Sequence, residues 1–137
     1  MKHPKFSVVI PVFNRPDEVR ELLDSLEEQT RKDFEIILIE DGSTVTCEKV
    51  VNEYAARLPI RYYFKSNAGP GPARNFGFAH AYGDYFVVFD SDCILPPTYF
   101  EAVEQAMITT SLDAWGGPDR GHEKFTIPQR AMAYTMS

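Results

Sequence analysis

Two carboxylates, separated by one residue, follow an apolar run in the second half of the chain. Asp90 and Asp92 end the stretch GDYFVVFDSD, in which residues 85–89 are almost wholly apolar. Two ionised carboxylates at the end of a buried strand repel each other unless a cation or hydrogen-bond donors compensate them. Mg²⁺ and Mn²⁺ prefer oxygen ligands, and Mg²⁺ is commonly held by one or two carboxylates together with substrate phosphates. The pair therefore indicates a divalent-metal site, with a simple turn cap as the alternative.

A second acidic strand end lies earlier in the chain, in the stretch IEDGST. Here Asp41 precedes Gly42, a residue that can adopt a positive φ. A carboxylate at such a turn can accept a hydrogen bond from an N–H group of a ligand. Because Asp-Gly is also a very common turn dipeptide, an ordinary turn stays open as the alternative.

A stretch rich in glycine and proline, NAGPGPARN, brings Arg74 near the first turn of a predicted helix. Glycine lets a ligand approach the backbone, helix N-termini attract phosphate, and a guanidinium offers a forked set of donors. The alternative is an ordinary connection with a solvated arginine. As a dinucleotide fingerprint the stretch is weak, because it lacks the third small residue and follows the third strand instead of the first.

Strand and helix patterns alternate along the chain and must position these side chains. Apolar, β-branched runs predict buried strands, and amphipathic spacing predicts the helices between them. Strands are predicted at residues 6–13, 34–39, 60–64, 85–90 and 114–116. Helices are predicted from residue 16 for about three to four turns, at 46–58, from the loop SNAGPGPARN to about residue 81, and at 98–111. The order predicts an α/β fold with a mostly parallel twisted sheet and helices on both faces. Ligands of such sheets bind at the carboxyl ends of the strands, where Asp41 and Asp90 would meet.

Composition narrows the class of protein. The chain has 137 residues, 44% of them hydrophobic, which is enough for one globular domain. Its net charge of -6, with no cluster of basic and aromatic residues, argues against nucleic acid as a partner. The two separated cysteines, together with the lack of a signal peptide or of an apolar run of about 20 residues, predict a cytoplasmic location.

Taken together, the stretches SVVIPVFNR, IEDGST and GPGPARNFGFAHAYGDYFVVFDSD resemble the nucleotide-sugar-binding half of family 2 glycosyltransferases, which have the GT-A fold. The resemblance covers nearly the whole chain. One departure is Glu40, which stands where an Asp is commoner. The resemblance implies an inverting glycosyltransferase of the hexosyltransferase type. It would move a sugar from a UDP- or other nucleotide-sugar to a hydroxyl of a glycan, lipid or polysaccharide acceptor.

The same resemblance implies roles for individual residues. The nucleotide would lie against Pro11, Phe13, Asp41, Arg74 and Asp90. In this arrangement Asp41 accepts from the base, Arg74 lies near the base or the diphosphate, and Asp90 lies near the ribose and the metal. Asp92 would be the main protein ligand of Mg²⁺ or Mn²⁺.

The resemblance also implies how the chain is divided. Residues 1–117 would form the nucleotide-sugar-binding α/β domain, and residues 118–137 a C-terminal tail leading to an acceptor-binding half, with Ser137 inside a helix. The general base would lie beyond Ser137, because Asp119 and Glu123 are weak candidates. The chain would then be truncated, weakly active or inactive alone, and associated with membranes only through missing parts.

Two alternatives belong to other classes. A haloacid-dehalogenase-like phosphatase also places a D-x-D after a buried strand, although there the strand is the first of its domain. A non-catalytic oligomerisation module is the second alternative, with a homodimer formed through residues 125–136 if the tail exposes apolar surface.

Overall fold

The computed structural model describes residues 4–110, 114–116 and 132–135, with side chains described up to residue 108. The elements in chain order are β1 (Phe6–Val12), α1 (Pro16–Glu27), β2 (Phe34–Asp41), α2 (Glu48–Tyr54), β3 (Ile60–Lys65), α3 (Pro70–Ala79), β4 (Tyr85–Val88), α4 (Tyr99–Thr110), β5 (Ala114–Gly116) and β6 (Met132–Thr135). The strands form one sheet in the order β3-β2-β1-β4-β6-β5. The described helices include none long and apolar enough to cross a membrane.

The first four strands of the chain form the parallel part of the sheet. β1 lies in the middle and pairs in parallel with β2 and β4, and β2 pairs in parallel with β3. β6 is antiparallel to both β4 and β5. The predicted α/β class with a mostly parallel sheet is confirmed.

The end of the chain differs from the prediction of a helix. Residues 132–135 form β6, which is hydrogen-bonded between β4 and β5. The physical reason is that β4 would otherwise present an unpaired edge of N–H and C=O groups. The division after residue 117 stays a prediction, and β6 lies in the same sheet as the residues before it. Asp119, Glu123 and residues 125–131 lie outside the described residues.

Successive side chains of a strand point to opposite faces of the sheet, so the core is divided into two apolar layers. Phe6, Val8 and Ile10 of β1 pack with the buried side chains of α1, α2 and α4. Between them, Val9 faces the opposite layer with Ile37, under α3. Helices therefore cover both faces, three on one and α3 on the other.

Two glycines let α3 and the turn before β4 lie close to the sheet. A Cβ on Gly77 of α3 would lie 2.5 Å from the Val9 side chain, and a Cβ on Gly83 would lie 2.7 Å from the backbone of Phe6. The Gly83 amide also donates to the Ser7 hydroxyl at 2.7 Å. Both contacts fix where the chain passes from α3 into β4.

α2 is shorter than predicted. It ends at Tyr54, and the amides of Arg57 and Leu58 both donate to the Tyr54 carbonyl at 2.9 Å, which closes a turn. Pro59 keeps the helix from continuing beyond this turn, because the residue before a proline is disfavoured in the helical region.

A buried polar cluster holds the turn before β4 against the sheet. The Glu35 carboxylate accepts from the Ser7 hydroxyl and the Tyr82 amide, each at 2.6 Å, and from the Arg61 guanidinium. Burial alone would raise the pKa of Glu35, but these hydrogen bonds and the charge of Arg61 outweigh it, and the pKa is lowered from 4.5.

Candidate functional site

The carboxyl ends of β1, β2 and β4 bring the predicted residues to one edge of the sheet. Asp41 is the last residue of β2, and Asp90 follows β4 by two residues. The Phe89 amide still donates to the Val9 carbonyl at 3.1 Å, so β4 follows β1 nearly to Asp90. With β1 between them, the two acidic strand ends are separated by two strand spacings, or about 10 Å.

Alternation also assigns these residues to one face. Ile39 packs under α3, and Asp41 lies two residues further along the same strand. Val88 packs under α3 while Phe89 packs in the opposite layer, so the next residue, Asp90, falls on the α3 face. The two carboxylates therefore share an edge and a face with the N-terminus of α3.

The Asp41 side chain fastens the loop between β3 and α3. Only 5% of the residue is exposed, and its carboxylate accepts from the backbone amides of Ala68 and Gly69, both at 2.9 Å. The Lys65 ammonium lies 3.5 Å from Oδ1, and the Asn67 amide nitrogen lies 3.5 Å from Oδ2. This buried carboxylate is therefore held by two backbone amides and flanked by two further side-chain donors.

The Pro-x-x-Asn stretch after β1 is tied to the loop after β2. Asn14 has a φ of 55°, a left-handed conformation that asparagine tolerates better than most residues. The side-chain oxygen of Asn14 accepts from the backbone amides of Thr44 at 2.8 Å and Val45 at 3.0 Å. The backbone amide of Asn14 donates to the Ser43 hydroxyl. Asn14 thus fixes the distance between the ends of β1 and β2.

Glu40 also holds the loop after β2, through hydrogen bonds to Ser43 and Cys47. Its carboxylate is fully buried and accepts from the Ser43 hydroxyl, the Cys47 amide and the Tyr62 hydroxyl. Burial and the nearby carboxylate raise the pKa of the Cys47 thiol and of the Tyr62 hydroxyl, so both side chains stay protonated at ordinary pH. The residue that departs from the commoner Asp therefore has a structural role beside the site.

Arg74, Pro11 and Phe13 surround the same edge. Arg74 is exposed near the start of α3, and its guanidinium forms no hydrogen bond or ion pair with the described residues. Pro11 is partly buried near the end of β1, and Phe13, just after it, is 50% exposed. The edge thus offers one cationic and one aromatic side chain to a bound molecule.

Asp90 and Asp92 lie in a tight turn. The Cys93 amide donates to the Asp90 carbonyl at 3.1 Å, and both aspartates are exposed. Within the described residues, no group of three or more His, Cys, Asp or Glu side chains is placed to hold a metal ion.

A cavity at the opposite edge of the sheet lies apart from the residues described above. It has a volume of about 570 Å³ and lies near the amino ends of β1 and β2. Its lining residues are Pro4, Thr30, Arg31, Lys32, Asp33, Phe34 and Glu104. None of the residues predicted to bind a ligand lines it.

Glu40, Lys65 and Asn67 were not predicted to have a role at this edge. The acidic Glu40 could have been suspected from its place at the end of an apolar strand. For Lys65 and Asn67 the sequence carries no comparable signal, because only the folded chain brings them to Asp41.

A family model and curated relatives that match this chain are all glycosyltransferases. The family model described as "Glycosyl transferase family 2" matches residues 7–134. An uncharacterised glycosyltransferase of Rickettsia felis is 43% identical over 88 residues, which cover 64% of this chain and 15% of that protein. The uncharacterised glycosyltransferase YibD of Escherichia coli K12 is 37% identical over 110 residues, which cover 80% of this chain and 32% of YibD. The chain thus spans at most about a third of the length of these relatives.

Solved structures show the same fold. S. aureus TarS in complex with UDP-GlcNAc superposes with a TM-score of 0.76 and 28% identity, over 86% of this chain and 36% of that one. The mannosyltransferase PcManGT of Pyrobaculum calidifontis, in complex with GDP-Man and Mn²⁺, has a TM-score of 0.81 over 98% of this chain and 45% of its own. At 18% identity, that second likeness concerns the fold alone.

Proposed function

Because the chain belongs to glycosyl transferase family 2, we propose that it binds a nucleotide-sugar at the carboxyl edge of its sheet, for transfer of the sugar with inversion. The observation that carries the proposal is the meeting of Asp41, Asp90 and the N-terminus of α3 on one face of that edge. The acceptor is a hydroxyl of a glycan, lipid or polysaccharide. TarS, which is 28% identical and was solved with UDP-GlcNAc, supports a uridine nucleotide as the donor.

Each group at the edge has a part in binding the donor. Asp41 accepts a hydrogen bond from the base, and the backbone near Pro11 and Phe13 lines the base pocket. Arg74 attracts the diphosphate through its permanently charged guanidinium. The N-terminus of α3 adds the Gly71 amide, since Pro70 and Pro72 carry no N–H and the Ala73 amide donates to the Gly69 carbonyl. The loop contacts of Asp41 and Asn14 hold this arrangement before the donor arrives.

Asp92, with Asp90 beside it, would hold a divalent cation, Mg²⁺ or Mn²⁺. When bound, such an ion neutralises the negative charge that develops on the leaving phosphate. The exposure of both carboxylates and their spacing of one residue support this assignment. Removal of the acceptor proton requires a general base, which we assign to none of the described residues.

The other candidate functions have less support. In the phosphatase alternative the D-x-D follows the first strand, whereas here it follows β4, and the family match excludes that assignment. A homodimer through residues 125–136 stays a hypothesis. A cytoplasmic location stays part of the proposal, and the two buried thiols of the described residues, Cys47 and Cys93, are compatible with the reducing environment there.

Calorimetric titration of UDP, with and without Mn²⁺, tests the proposal. We expect binding that requires the metal and an affinity that falls roughly tenfold or more in Asp92→Asn, since a charged ligand to the cation is lost. Asp84→Asn is the matched control, because Asp84 is an exposed carboxylate near the other end of β4. Equal affinity in wild type and Asp92→Asn would exclude the proposed metal site, and absence of nucleotide binding would exclude the donor site.

A further inference from the structure

We propose that two copies of this chain associate through β3, which pairs in antiparallel orientation with β3 of a second copy about a two-fold axis at Tyr62. The inference adds an interaction surface to the molecule and does not depend on the nucleotide site. It rests on the exposed edge of the sheet, on the direction of the backbone groups of β3 and on the placement of its charges.

β3 forms one edge of the sheet, and no strand in the described part of the chain pairs with its outer side. None of its six residues is buried, whereas all eight residues of the neighbouring strand β2 are. The opposite edge is β5, which has only three residues, and so short a strand offers little to pair with. Of the two edges, β3 is therefore the one long enough to accept another strand.

The pairing with β2 determines which backbone groups of β3 point outward. Ile36 lies opposite Ile60, and the Ile36 amide donates to the Pro59 carbonyl at 2.9 Å. Alternate residues of a parallel strand turn their backbone groups to the same neighbour, so the odd-numbered residues of β3 face β2. The N–H and C=O groups of Tyr62 and Phe64 therefore face outward, together with the carbonyl of Ile60.

The charges of β3 do not protect this edge. Edge strands are commonly blunted by free charged side chains or by proline, and β3 contains no proline. The Arg61 guanidinium lies 2.5 Å from the Glu35 carboxylate, and the Lys65 ammonium lies 3.5 Å from that of Asp41. Both cations are thus held against carboxylates of β2, while the Phe64 side chain is 57% exposed. The edge presents apolar surface and backbone groups to a second strand.

Antiparallel pairing centred on Tyr62 uses the outward groups of both copies. Tyr62 then lies opposite Tyr62 of the second copy, and the two residues exchange both of their backbone hydrogen bonds. Phe64 lies opposite Ile60 of the second copy, so the Phe64 amide donates to that carbonyl and the exposed ring covers an apolar side chain. The two-fold axis repeats this contact at the other end of the shared seam.

The charged residues favour this register over its neighbours. With Tyr62 at the centre, Lys65 lies opposite Pro59 of the second copy. Arg61 lies opposite Tyr63 of the second copy, a pairing that suits a guanidinium and an aromatic ring. Sliding one copy by two residues places Arg61 opposite Arg61 in one direction and opposite Lys65 in the other. Like charges directly opposite each other are destabilising, so the centred register is the one that the strand permits.

Sedimentation velocity between about 1 µM and about 1 mM protein tests the proposal. One short strand per copy makes a small interface, so we expect the mass to rise from that of one chain to that of two within this range. Phe64→Lys puts a free charge on the edge and should weaken the association roughly tenfold or more. Ile108→Lys is the matched control, because it makes the same change at a 74% exposed apolar side chain on α4, and should leave the association unchanged.

A second measurement uses only the wild-type protein, so it does not depend on whether a variant folds. Amide hydrogen exchange at Tyr62 and Phe64, whose amides face outward, should slow at least about threefold as the concentration rises. Exchange at Arg61 and Tyr63, whose amides face β2, should not change. A dimer formed through another surface would leave exchange at Tyr62 and Phe64 unchanged, which overturns the proposal. A chain that stays monomeric at about 1 mM, or an unchanged association in Phe64→Lys, overturns it as well.

Discussion

At the scale of single residues, buried carboxylates organise the loops beside the site. Glu40 is fully buried and accepts from the Ser43 hydroxyl, the Cys47 amide and the Tyr62 hydroxyl. Glu35 likewise holds the turn before β4 against β1, because its carboxylate accepts from the Tyr82 amide and from the Ser7 hydroxyl. A buried acceptor of this kind is costly to remove, because its donors then lose both their partner and their access to water.

Replacement of Glu40 by Ala should destabilise the protein by about 3 kcal/mol, because three donors lose their shared acceptor in a buried place. Urea unfolding at pH 7 measures this change. The control is Glu53→Ala, which removes an exposed partner of Arg20 and should cost much less than the Glu40 variant. Similar losses in the two variants would contradict the role given to Glu40.

Glu35 should make stability depend on pH. Its pKa is lowered in the folded state, so its contribution is complete above the ordinary value of 4.5 and is lost as the pH falls through the lower folded value. Urea unfolding of wild type and Glu35→Gln between pH 7 and pH 3 checks this. The stability gap between them should narrow in acid, and parallel pH profiles would show that the hydrogen bonds of Glu35 do not favour its charged form.

At the scale of elements, α3 carries the site because it lies so close to the sheet. Its Gly77 faces Val9 and Ile39, and its first residues follow the loop that Asp41 holds. The same helix contains Gly71, where a Cβ would meet only the end of the Arg74 side chain, at 3.8 Å. One helix thus contains both a packed and an open glycine.

The two glycines should respond in opposite directions to alanine. Gly77→Ala places a methyl group 2.5 Å from the Val9 side chain and should destabilise the protein by about 1–3 kcal/mol. Gly71→Ala should be neutral or stabilise by up to about 1 kcal/mol, because alanine favours the helix and no atom obstructs it. Thermal unfolding of both variants measures the difference, and equal melting temperatures would mean that α3 is not closely packed at Gly77.

At the scale of the whole molecule, the parallel part of the sheet is continued by antiparallel strands. β6 covers the edge of β4 that β1 does not, and β5 pairs with the other edge of β6. Because β4 leads directly to Asp90 and Asp92, the strand that holds the acidic pair depends on residues 132–135 for its second partner.

A chain shortened to residues 1–117 should therefore be less stable and should associate with itself, because β4 would expose an unpaired edge. We expect a lower melting temperature and a larger mass by light scattering than for the whole chain. Removal of Met136 and Ser137 alone, beyond the end of β6, serves as the control. If the shortened chain is monomeric and melts at the same temperature, β6 is not needed by the sheet.

The amino-acid sequence by itself determined the main elements, and it predicted the edge of the sheet at which a site would lie. Strands and helices with a clear period, such as FSVVIPV in β1 and the leucine stripe of α1, were predicted because their patterns are local. The rule that ligands bind at the carboxyl ends of parallel strands then placed Asp41, Asp90 and Asp92 together.

Only the tertiary structure decided the rest. It put β6 where a helix was predicted, because a four-residue segment has little pattern of its own and takes the form that the open edge of β4 requires. It also revealed Glu40, Lys65 and Asn67 as partners within the site. Their roles depend on contacts between segments distant in sequence, such as Asn67 with Asp41, and no local periodicity encodes such contacts.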